Sequence, residues 1–332
     1  MSPRDRVPRP ARVLVTGAGG PAAIAVMRSL QADPSVQLIA ADMDSWAAGL
    51  YLVPPSDRTL ILAGAATGFA DQLLARCQRM GVSVVIPTVD AELRPLSVAR
   101  TTFARAGIAL MLAPDAGLSV TLDKLALARR CAGSVRVPRT ELFDEAFDPG
   151  DWTFPVVVKP RSGSGSRDIS VVRSVADLAD LPRSADFLAQ EFLPGDEYSI
   201  DVFADRVGHV MAAVPRLRAK VDSGVSVAGR TVHDQELERF GATVAAATDL
   251  SYIANVQARR DRAGRPALLE VNPRAPGSLA LTIASGVDMP RFAMDVLRGR
   301  QVPEHVDFRE VAMVRFLDER VVEIGEIQRA AA

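Results

Sequence analysis

The chain has 332 residues, 48% of them hydrophobic and 24% charged, and its 39 basic and 40 acidic side chains leave a formal net charge of −1. Balanced charge removes the usual basis for non-specific nucleic-acid binding, the globular composition excludes a disordered chain, and no apolar run approaches the roughly 18–20 residues that cross a bilayer. Two cysteines, Cys77 and Cys131, make no disulfide framework, and three scattered histidines make no zinc site. The expectation is therefore a cytoplasmic protein of two or three domains, without nucleic-acid or membrane partners.

Residues 1–10 are rich in Arg and Pro with no apolar stretch, and read as a disordered arm rather than a secretory signal. Strands are expected at 12–16, 36–41, 59–62, 82–86 and 108–112, with helices at 22–30, 69–80 and 92–106 between them. That alternation predicts a parallel sheet with helical crossovers, so 11–113 reads as one doubly wound, Rossmann-like α/β domain. Beyond Pro114 the texture becomes α+β, with a helix at 122–131, strands at 155–159, 169–172, 187–192 and 197–204, and a helix at 175–180. The last third carries helices at 234–249 and 289–298, strands at 252–259 and 267–271, and a closing strand at 311–317.

The first glycine cluster, Gly17-x-Gly19-x-x-Ala22, follows a strand and opens a helix, with Asp42 at the end of the second strand. This spacing suits a dinucleotide, the glycines admitting a pyrophosphate and the acid a ribose, but any Rossmann-like domain also needs a tight first turn. A second cluster is more demanding. An apolar strand delivers Lys159 and Pro160, and Ser162, Gly163, Ser164, Gly165 and Ser166 follow before Arg167. Glycines turn successive N–H groups onto one anion and the lysine adds charge, the makings of a polyphosphate site; the plainer alternative is a flexible hairpin turn.

Farther on, alternation puts Glu197, Ser199 and Asp201 on one face of a strand, where a carboxylate can hold a ribose hydroxyl or merely meet solvent. Asn255, Gln257, Glu270 and Asn272 lie on two neighbouring strands. If a four-residue loop at 262–265 closes that hairpin, Gln257 faces Glu270 and Asn255 faces Asn272. One carboxylate and three amide oxygens on one face suit a Mg²⁺ that stays partly bound by phosphates. Arg274 extends the cluster with a fork for carboxylate or phosphate. Arg216, Arg218 and Lys220 fall by alternation on one strand face. Only three lysines occur in the chain, Lys124, Lys159 and Lys220; genome bias explains that scarcity, and so does retention of lysine where a compact point charge is needed.

In this order, Lys124 after Asp123, Lys159-Pro160, the Gly/Ser loop, Gln190-Glu191-Phe192-Leu193, Glu197, Gln257 and Glu270-Val-Asn272-Pro-Arg274 resemble the ATP-grasp superfamily. The likeness is greatest to the branch of carbamoyl phosphate synthase large subunits and biotin carboxylases, and it spans nearly the whole chain. It implies a Rossmann-like pre-ATP-grasp domain at 11–113, a small lobe at 114–193 with the phosphate loop, and a large lobe at 194–332 with the metal site. It further implies that Lys124, Lys159 and the loop 162–166 contact ATP phosphates, that Gln190 to Leu193 meet adenine, and that Glu197 meets ribose. Gln257, Glu270 and Asn272 would hold Mg²⁺ or Mn²⁺. Arg274, Arg218 and Lys220 would serve the phosphorylated carboxylate.

The activity so implied is ADP-forming ligation of a small, amino-acid-like carboxylate to an amine through an acyl phosphate, with homodimers common in the family. A carbamoyl phosphate synthase-like reaction, an NAD(P)-dependent oxidoreductase and a non-catalytic nucleotide-binding module are the rival readings. In the ligase reading the loops at Gly17–Gly20, Asp90 and Glu92 would line a substrate pocket rather than hold NAD.

Overall fold

A computed structural model of the chain describes residues 10–163 and 168–331. The arm expected at 1–10 therefore lies outside the described residues but for Pro10.

The N-terminal part alternates as the spacing requires: β1 (Ala11–Val15), α1 (Pro21–Gln31), β2 (Val36–Asp42), β3 (Arg58–Leu60), α2 (Phe69–Arg79), β4 (Val84–Ile86), α3 (Asp90–Arg105) and β5 (Ala109–Leu110). Its five parallel strands run in the order β3-β2-β1-β4-β5. Strand order reverses between β1 and β4, so the turns after these two strands open one crevice at the carboxyl end of the sheet. Pro21 sits in the first turn of α1, where a missing N–H costs nothing.

Two helices follow, α4 (Asp115–Thr121) and α5 (Lys124–Cys131), then β6 (Thr140–Leu142), β7 (Val156–Pro160), β8 (Ser170–Val172) and β9 (Phe187–Glu191), four antiparallel strands ordered β6-β9-β7-β8. The third part contains β10 (Glu197–Ala204), β11 (Val210–Asp222), β12 (Val225–Thr231), α6 (Gln235–Ala247), β13 (Tyr252–Arg260), β14 (Pro266–Asn272), α7 (Leu279–Ala284), α8 (Met289–Leu297), β15 (Ala312–Val314) and α9 (Ile324–Ala331). Its six strands form an antiparallel sheet ordered β14-β13-β10-β11-β12-β15.

The first domain and the six-stranded sheet share one apolar core, in which Val13, Val26 and Leu30 pack with Phe203, Val214, Leu279 and Met294. The four-stranded sheet has its own small core around Phe143, Trp152, Val156 and Leu178. Site groups carried by the first domain and the large sheet are thus held to one another by common packing.

Several expectations need correction. Helix α4 was not foreseen, because Pro114 ends one pattern and the short helix has its own start. Residues 175–180 make only a 3-10 turn at Ala176–Leu178. The closing strand at 311–317 shrinks to β15 on the sheet edge, leaving Phe316 and Leu317 exposed. Helix α9, assigned by sequence to the large lobe, instead docks on β3 of the first domain, where Glu326 pairs with Arg58 at 2.9 Å.

Candidate functional site

The hairpin of β13 and β14 pairs Gln257 with Glu270 and Asn255 with Asn272, the register anticipated from loop length. It arrives there by a different route. The loop has five residues, 261–265, and a register shift between Gln257 and Ala258 restores the pairing. Strand β10 continues both rows, with Ser199 opposite Gln257 and Asp201 opposite Asn255. Two polar rows therefore cross three strands on one face.

The second row is sealed at its Asp201 end. Asp201 is 0% exposed and accepts from Arg216 at 2.6 Å, from Asn255 Nδ2 at 2.8 Å and from the Thr282 hydroxyl. Arg216, also fully buried, donates its other Nη to Ser278. The solvent-facing role open to Asp201 on sequence is excluded. Because Asp201 takes the amide NH₂ of Asn255, the Asn255 oxygen is left facing Gln257 Nε2, 3.5 Å away.

The first row is open. Among the described residues Glu270 meets only long contacts, 3.4 Å from Asn272 Nδ2 and 3.5 Å from Lys124 Nζ. Lys124 is brought there by the start of α5, where Asp123 caps Leu125 and Ala126 and is gripped by Arg161 at 2.6 Å. The Lys124 ammonium donates to the Gly163 carbonyl at 2.6 Å, and Gly163 has a φ of +99° that favours glycine. Lys159 ends its apolar strand pointing inward, 6% exposed, with Nζ 3.5 Å from the Leu269 carbonyl. Burial pushes its pKa down to about 8, opposed by Glu270 and assisted by Lys124. Ser162 is exposed beside Gly163, while Ser164, Gly165 and Ser166 lie outside the described residues.

The polar face fronts a cavity of about 280 Å³ lined by Ser199, Asn255, Gln257, Glu270 and Asn272 on one side; Lys124 and Lys159 approach Glu270 but do not line the cavity. Gly17, Gly20, Thr88 and Asp90 of the first domain form the opposite wall. The crevice of the parallel sheet and the polar face of the large sheet are one site. Arg274 lies between them and is held by Asp90, Nε to Oδ1 at 2.7 Å and Nη2 to the other oxygen. Arg218 also lines the cavity, pairing with Glu197 at 3.0 Å and donating to the Gly224 carbonyl.

Lys220 does not line this cavity. A register irregularity between Leu217 and Lys220 breaks the alternation, and Lys220 is exposed. Glu92 is likewise absent from the wall. It is buried behind the wall against Thr16, where burial pushes its pKa up to about 7. Sequence reasoning passed over the Ser223–Ser226 turn and the Gly277–Ser278 turn, which complete the lining. Small polar residues just past Arg274 were the available signal.

On the expected adenine linker, Gln190 is buried and donates to Thr140, and Leu193 is buried. The Glu191 carboxylate accepts from Arg136 at 2.7 Å and, with Phe192, borders a separate cavity of about 420 Å³.

The contacts of the first turn tell against the dinucleotide reading. The Asp42 carboxylate, needed for a ribose, accepts the Gly19 N–H at 2.8 Å and that of Asp44 at 3.0 Å. A Cβ on Gly17 (φ +61°) would lie 2.6 Å from Val89, and one on Gly49 would lie 2.1 Å from the Ala18 carbonyl oxygen. Both glycines serve protein-on-protein packing. Burial pushes the thiols of Cys77 and Cys131 up to about 12 and about 11, so neither offers a thiolate nucleophile. Among the described residues no group of three or more His, Cys, Asp or Glu could hold a metal, and no helix is long and apolar enough to cross a membrane.

Comparison with known proteins bears on the same two halves. A family profile described as "PylC-like, N-terminal domain" matches residues 13–111, and one described as "ATP-grasp in the biosynthetic pathway with Ter operon" matches residues 183–320. The ATP-grasp profile thus falls on the part that carries the six-stranded sheet, and the PylC-like profile on the parallel sheet. Its fold superposes on N5-carboxyaminoimidazole synthetase from Staphylococcus aureus complexed with ADP, with a TM-score of 0.74 over 93% of this chain and 83% of that one, at 13% identity. L-amino acid ligase from Bacillus licheniformis superposes with a TM-score of 0.67 over 87% and 75%, at 14% identity. At these identities the likeness carries the fold. D-alanine–D-alanine ligase from Thermotoga maritima is 28% identical over 106 residues, 30% of this chain, and the match spans only 35% of that ligase's length.

Proposed function

We propose that the protein joins a small, amino-acid-like carboxylate to an amine at the expense of ATP, forming ADP. In the first step a substrate carboxylate oxygen bonds to the γ-phosphorus, and the bond to the bridging oxygen breaks to release ADP. In the second, the amine nitrogen attacks the acyl carbon, inorganic phosphate leaves with the mixed-anhydride oxygen, and the nitrogen loses a proton. Such chemistry needs alignment and charge neutralisation rather than a protein nucleophile.

The supporting observation is the open row, where Glu270 stands 3.5 Å from Lys124 in a cavity whose far wall is the first domain. Lys124 and Lys159 would hold the ATP phosphates. Gln257, Glu270 and Asn272 offer hard oxygens with a single carboxylate, a set that fits a Mg²⁺ or Mn²⁺ ion completed by phosphate oxygens. When bound, that ion supplies positive charge against the phosphates. Arg218, not the exposed Lys220, serves the substrate carboxylate, and Asp90 holds the Arg274 fork at the seam between the two walls.

The test is ADP release from Mg-ATP in the presence of pooled amino acids and amines. Substrate-dependent ADP from the wild type, absent in Glu270→Ala and Lys159→Ala, supports the reading. ADP release that persists in both variants contradicts it.

A further inference from the structure

A second cavity, of about 360 Å³, lies on the first domain away from the site just described, between β3, α2 and α9. Its charge is one-sided: Arg58, Arg76 and Arg329 line it, against the single carboxylate of Glu326. Arg58 is built in. Its side chain is 8% exposed, pairs with Glu326 at 2.9 Å and lies 4.8 Å from the centre of the Tyr51 ring.

Arg76 is the unusual member. Among the described residues its guanidinium has no hydrogen bond and no ion pair, yet its Nε is sealed from solvent; the Nε of Arg58 is also buried without a partner. An unpaired buried guanidinium N–H loses its hydration without compensation, which makes the position one that an anion would relieve. Leu50 and Leu60 supply an apolar wall, and α9 closes the space by seating Ile327 in the common core. A cavity of this size, apolar on one side with a few convergent polar groups, has the make-up of a small-molecule site.

We infer that this cavity binds a small organic anion, a phosphate monoester or a polycarboxylate, through Arg58, Arg76 and Arg329. The planar forks match either oxyanion in two-point fashion. The inference is independent of the ligase reading, since it uses no residue of the central cavity.

Calorimetric titration of the full chain with citrate and, separately, with pyrophosphate at constant ionic strength tests it. The wild type is expected to bind at least one probe. Arg76→Gln is expected to weaken that binding about tenfold or more, as loss of a charge-assisted partner requires. Arg329→Gln, on the exposed face of α9 where folding is not at risk, is expected to weaken it several-fold. No binding of either probe to the wild type overturns the inference. So does binding abolished by Lys159→Ala, or binding untouched by both arginine variants.

Discussion

Asp201 and Glu270 are two carboxylates on the same face of the same sheet, in adjacent rows, and the fold treats them in opposite ways. Asp201 is sealed among Arg216, Asn255 and Thr282. Among the described residues Glu270, on the edge strand β14, has contacts no closer than 3.4 Å and looks into a cavity. A shared face does not distinguish them; what does is whether the fold has already spent the group's hydrogen-bonding capacity. The same contrast separates the two glycine-bearing turns. At Gly17–Gly20 the Gly19 N–H is already taken by Asp42, whereas Gly163 presents its carbonyl to a lysine near Glu270.

The largest effect should come from opening the sealed row. Asp201→Ala leaves Arg216 buried and unpaired, and is expected to cost about 3–5 kcal/mol in urea unfolding; a loss under about 1 kcal/mol would erase the distinction. Glu270→Gln should do the reverse, lowering kcat for ADP release about 100-fold or more while moving stability by under about 1 kcal/mol. Gly49→Ala, whose Cβ would meet the Ala18 carbonyl oxygen at 2.1 Å, is expected to cost about 1–3 kcal/mol.

Lys159 adds a pH test. Its folded pKa of about 8 lies below the ordinary 10.5, so between these values the unfolded chain binds more proton, and the Lys159 contribution to stability rises with pH. Below about 8 both forms are protonated and that contribution is constant. Without nucleotide the slope should appear in wild type and vanish in Lys159→Met, while apparent ATP affinity falls as pH passes 8. Least affected is Lys220→Arg, expected within about 0.5 kcal/mol and silent in turnover. A marked loss there would return Lys220 to the site.

Strand alternation made the polar face readable, including the pairing of Gln257 with Glu270. Alternation cannot see a bulge, however. It placed Lys220 beside Arg218, and it reached the correct hairpin register with a loop one residue too short. It also could not tell which of the residues sharing a face would be consumed internally, because Arg216 and Thr282 reach Asp201 only through tertiary packing. The pairing of Asp90 with Arg274 crosses 184 positions and leaves no local trace. Edge strand β15 was overextended for the same reason, since it exists by docking on a distant element, and helix α9 was not anticipated.

The central claim, that the open row with its two lysines is a Mg-ATP site, is tested most directly by calorimetric titration with ATP in the presence of Mg²⁺, and with NADPH for comparison. The account predicts ATP binding to the wild type, strongly weakened in Lys159→Ala and Glu270→Gln, with no binding of NADPH. Binding of NADPH, or ATP binding unchanged in both variants, would contradict it.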